Sequence, residues 1–71
     1  NGVFNVEVNA TETAEYTFIV RNVIGQTVSS STETINGNFI KTIDLSNQTT
    51  GMYFLTVKSV NSEKTAKIIL K

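Results

Sequence analysis

The sequence contains no cysteine and no histidine, and tryptophan and proline are missing as well. Without cysteine no disulfide can staple a small fold and no thiolate can act as a nucleophile. That lack suits a reducing compartment, and equally an exported protein that relies on a β-rich core. Without histidine the commonest general base near neutral pH and the commonest metal ligand are both gone. The formal net charge is zero, so the basic excess that a nucleic-acid backbone or an anionic membrane would call for is absent. No apolar run approaches the roughly 18 residues that cross a bilayer. The start, NGVFNVEV, is not a basic segment followed by an apolar one, so if the protein is exported, either its signal lies upstream of Asn1 or something else carries the address.

With 71 residues the chain is one small domain. A domain of this size buries only about 60% of its unfolded surface, so modest stability is expected.

What is present is strand signal. VFNVEV alternates, with Phe4, Val6 and Val8 on one face and Asn5 and Glu7 on the other. NATETAE reads as a polar connection, followed by YTFIVRN with Tyr16, Phe18 and Val20 inward. NVIGQ predicts a tight hairpin, Asn22 suiting its first position and Gly25 the site of positive φ. QTVSSSTET is β-prone but polar, as expected of an edge strand, and Asn36-Gly37 carries the strongest hairpin signal in the chain. NFIKTIDL leaves its inward set open between Phe39/Ile43 and Ile40/Thr42. After the loop SNQTTG, MYFLTVKS turns Tyr53, Leu55 and Val57 inward. VNSEK is a turn, and TAKIILK ends the chain as a strand with Ala66, Ile68 and Leu70 on one face. No window holds a 3.6-residue period. The expected fold is all-β and without helix: a small antiparallel Ig-like β-sandwich of about six or seven short strands.

The chemistry of a catalytic site is hard to assemble from this set. Most of the acids Glu7, Glu12, Glu15, Glu33, Asp44 and Glu63 sit in connections or on outward faces, where solvated charge is the simpler reading. Ser29, Ser30 and Ser31 have no base near them in sequence. Asp44 with SNQTT offers one carboxylate and some amides, a poor cage for Ca²⁺ and a good Asx turn. Two glycosylation sequons, at Asn9 and Asn47, arise easily in so Asn/Ser/Thr-rich a chain. Among the aromatics only Phe54 falls opposite the inward face of its strand, available to a neighbouring domain or a sugar. No catalytic residue, cofactor, metal or small-molecule substrate is expected, and the protein is not expected to be an enzyme.

Three blocks carry more information in their order: FIVRNVIGQTV, then IDLSNQTTGMYFLTV, then the terminal KTAKIILK. In this order they resemble the C-terminal sorting domain of the type IX (Por) secretion system of Gram-negative bacteria. Gly25-Gln26 matches its Gly followed by Lys or Gln. Ile43, Asp44, Leu45 and Ser46, then Gly51, Tyr53, Leu55 and Val57, match its central block, and Lys67 to Lys71 match its basic-apolar ending. The likeness covers nearly the whole chain. The family's opening Asn-Pro pair is the departure: the chain opens on Asn1-Gly2, which is either the remnant that trimming inside that motif would leave, the favoured expectation, or the mark of a divergent member.

The resemblance implies a sorting signal at the end of a larger secreted cargo lying upstream of Asn1. Such a signal is recognised by the outer-membrane type IX translocon after export to the periplasm and removed by a sortase-like peptidase. Its cargo is delivered to the cell surface or beyond. The residues expected to matter for sorting are Gly25, Asp44, Gly51, Tyr53, Lys67, Ile69 and Lys71. A strand-exchanged homodimer is open to a domain whose last strand can peel away. The alternative is a fibronectin-like or carbohydrate-binding accessory module of a secreted multidomain protein.

Overall fold

The computed structural model describes residues 2–60 and 62–71. Asn1 of the Asn1-Gly2 opening and Asn61 of the turn expected over 60–64 lie outside the described residues. Four strands form one antiparallel sheet: β1 (Val3–Asn22), β2 (Thr27–Asp44), β3 (Gly51–Lys58) and β4 (Glu63–Leu70), in the spatial order β2-β1-β3-β4. The described residues contain no helix.

This corrects the expected sandwich of six or seven strands. The alternating segments over 3–8 and 16–22 are one 20-residue strand, and those over 26–34 and 38–45 are joined in one 18-residue strand. A straight strand of 20 residues would run to about 65 Å, yet the longest dimension of the molecule is 36 Å. The β1–β2 ribbon must therefore bend sharply, and the register shows where. Ala10 pairs with Gly37 and Ala14 with Ile35, so residues 11–13 of β1 face Asn36 alone. Such a bulge lengthens one strand and turns both. Gly37, at φ 84°, supplies on β2 the backbone conformation that the bend needs and a side-chain-bearing residue avoids. Asn36-Gly37 is thus a bend inside a continuous strand and not a hairpin, and NATETAE is the bulge opposite it. Glu33 and Lys41 stand on β2 on either side of the bend and meet in a part-buried ion pair at 2.7 Å.

The bend turns Phe4, Val6 and Val8 back towards the remaining sheet. They join one core with Phe18, Val20, Ile35, Ile43, Leu45, Tyr53, Leu55 and Leu70. Every inward set read from alternation is found inward, and the open choice on β2 resolves to Phe39 and Ile43, with Ile40 63% exposed. The flap made of 3–10 and 37–44 is only two strands wide and covers only part of the inner face of β3 and β4. A groove of about 540 Å³ remains, floored by Val6, Val8, Leu55, Val57 and Ala66. Ala66 is for this reason exposed although it points inward.

Candidate functional site

The sequence blocks meet at one end of the sheet. β1 ends there at Asn22, β3 begins there at Gly51, and β4 finishes there at Leu70, since Asn22 pairs with Tyr53 and Gly51 with Leu70. The turn after Asn22 forms as the sequence predicts. The Asn22 side-chain oxygen accepts from the N–H of Ile24 at 3.2 Å and of Gln26 at 2.9 Å, and its amide donates to the Gln26 side chain at 2.9 Å. Gly25, at φ 91°, closes the loop by donating its N–H to Asn22 O at 3.0 Å.

The loop 45–50 packs beside this hairpin, and both line a shallow depression of about 230 Å³ with Met52 and Tyr53. Asp44 starts the loop as an Asx turn, its carboxylate accepting from the Ser46 N–H at 2.9 Å. The Ser46 hydroxyl and then its backbone N–H hold the Asp44 carboxyl below the usual carboxylate range. Leu45 plugs the core, and its N–H donates to Gly2 O at 2.6 Å. A Cβ at Gly2 would lie 2.8 Å from Ser46 Cα, so the chain start can lie this close to the loop only as glycine. Tyr53 is buried and donates its hydroxyl to Thr49 O at 2.7 Å, pinning the loop's far side. Gly51, at φ 145°, lets the chain enter β3 in a conformation that L side chains rarely adopt.

Asp44, Gly51 and Tyr53 therefore build the loop, and Gly25 builds the hairpin beside it. Lys67, Ile69 and Lys71 are exposed on β4 or just beyond it, Ile69 at 49%, while Leu70 between them is buried. β4 is an edge strand, paired on one side by β3. Its exposed face continues across the sheet in a way the sequence does not disclose: Lys67 lies opposite Phe54, and Phe54 opposite Arg21. Met52 lies opposite Ile69 on the same face and is itself 37% exposed. Phe54 was legible only as an outward aromatic and Arg21 carried no signal of its own, because the register that aligns them is a tertiary fact. Among the described residues, no group of three or more acids, histidines or cysteines comes together in a way that could hold a metal ion.

The site is thus an edge strand, two buttressing loops and a mixed cationic and apolar sheet face, the makings of a recognition module. The family described as the secretion system C-terminal sorting domain matches residues 1–71, the whole chain. The chain belongs to this type IX sorting-domain family. No curated protein and no solved structure gives a significant match. Membership makes the chain a sorting signal that engages the type IX machinery and leads to export across the outer membrane.

Proposed function

We propose that residues 1–71 form the C-terminal domain of a secreted protein and are read by the outer-membrane translocon through the terminal strand. The observation that carries this reading is the meeting of the three family blocks at one end of the sheet, against the edge strand β4. An edge strand offers unpaired backbone groups for strand addition and holds its exposed side chains in a fixed row. Lys67, Ile69 and Lys71 are the contact residues in this account. Gly25, Asp44, Gly51 and Tyr53 act by holding the loops that position them. The domain performs no reaction of its own. Its cargo precedes Asn1, travels through the periplasm, and is freed from the domain by a sortase-like peptidase after translocation. The exposed row of β4 also permits exchange of this strand between copies.

Removing Ile68 to Lys71 from a tagged cargo is expected to leave that cargo in the periplasm. Because the truncation also removes the buried Leu70, the substitution Ile69→Ser serves beside it: the domain should stay folded while delivery falls. Surface delivery at the parent level with both variants would contradict the proposal.

A further inference from the structure

The net charge of zero conceals a separation of charge. On the outer face of the sheet, the end formed by Arg21, Lys67 and Lys71 carries three cations and no acid among the described residues. Arg21 and Lys67 flank Phe54, and Lys67 and Lys71 flank Ile69, which lies opposite Met52; Met52 and Ile69 are exposed and Phe54 half-buried. The acids of this face lie at its other end, where Glu63 stands opposite Lys58. Glu63 is four residues from Lys67, about 13 Å along β4, and Glu15 is six residues from Arg21, about 20 Å along β1. The cations are held in place by register: Arg21, Phe54 and Lys67 stand directly opposite one another on three adjacent strands. Neighbouring strands are about 4.8 Å apart, so the backbones that carry the two cations stand about 10 Å apart with an aromatic residue between them.

We infer that this row is the docking surface for a partner protein that presents carboxylates on both sides of an apolar contact. The inference rests on the sorting-signal reading and names the chemistry of the surface that reads the signal. Charge complementarity decides between partners. A plane of anionic lipid would extend over the whole face, where Glu63 and Glu15 offset two of its four cations, Arg21, Lys58, Lys67 and Lys71, and lipid attraction amounts to only about 1 kcal/mol per basic residue. A protein patch can match the basic end alone. Fixed cations at the rim of an apolar contact speed encounter and set register, while the apolar centre supplies most of the affinity. Phe54, Met52 and Ile69 are that centre.

The test uses the full cargo in its secreting host, with delivery measured as the ratio of surface or medium cargo to periplasmic cargo. Arg21→Gln with Lys67→Gln is expected to lower that ratio by about tenfold or more without changing the circular dichroism or melting temperature of the domain. Lys58→Gln with Lys64→Gln removes the same charge elsewhere and should leave delivery unchanged. Arg21→Lys with Lys67→Arg should retain it. A photo-crosslinking residue at position 69 should capture a protein segment bearing Asp or Glu next to apolar side chains. Normal delivery of the Gln pair, with the Ile68–Lys71 truncation still blocked, would overturn this inference and leave the sorting reading standing. Normal delivery of both would overturn the sorting reading itself. Two further results would also overturn the inference: binding of the domain to phosphatidylglycerol vesicles with the same charge dependence, or self-association that Glu7→Lys abolishes.

Discussion

Leu45 follows β2 directly and is buried to 1% exposure, while its backbone N–H donates to Gly2 O. A single residue thus fills the core and ties the start of the chain to the loop that leads into β3. Leu45→Ala is expected to cost about 2–5 kcal/mol, read as a lower denaturant midpoint with an unchanged slope. Tyr53→Phe removes only the hydroxyl that donates to Thr49 O. A loss of about 0.5–1.5 kcal/mol is expected, and a neutral result would show that this bond does not hold the loop. Asp44 adds a pH dependence. Its carboxyl is held below its ordinary value by Ser46, so the folded state favours the charged form. Its contribution is therefore complete above the unfolded pKa of about 3.9 and is lost as pH falls through the lower folded value. Carboxyl NMR titration should place Asp44 below a free aspartate, and Asp44→Asn should remove that part of the acid sensitivity.

At the scale of elements, what the sequence disclosed and what it hid have a common cause. Period-two alternation identified inward residues on β1, β3 and β4, because a strand that faces a core must alternate, but on β2 it left Phe39/Ile43 and Ile40/Thr42 open and did not disclose the buried Ile35. It could not show that the alternating segments are continuous. Asn36-Gly37 has the residues of a hairpin turn, but positive φ at Gly37 serves a bend equally well. Only the pairing of Ala10 with Gly37 and of Ala14 with Ile35 decides between them. The loops of the site were more legible, since Asn22 with Gly25 and Asp44 with Ser46 act through contacts a few residues apart. The Arg21–Phe54–Lys67 row was hidden for the opposite reason: its members are brought together by strand register alone. Pairing also sets the order of local stability. Residues 17–20 of β1 are flanked by β2 and β3, whereas β4 has a partner on one side only. Amide hydrogen exchange should therefore be faster in β4 than in residues 17–20. Equal protection would count against β4 as an accessible edge.

At the scale of the whole molecule, one sheet bent over a single core makes a small fold whose outer faces differ in charge. The flap carries Glu7 and Asp44 on its outer face, and the opposite outer face carries Arg21, Lys67 and Lys71 beside the edge strand. An overall charge count reports none of this. With a two-stranded flap over the inner face and no covalent staple, the isolated domain is expected near the low end of roughly 5–15 kcal/mol. On the proposed reading the folded domain suffices as the address for the outer-membrane step. Fusing residues 1–71 to the C-terminus of a reporter that carries an N-terminal export signal, in a bacterium with a type IX system, tests this. Delivery of the reporter to the cell surface or medium, abolished when the translocon is deleted, is the expected result. A folded fusion that stays in the periplasm, or that leaves the cell equally well without the translocon, would contradict the account.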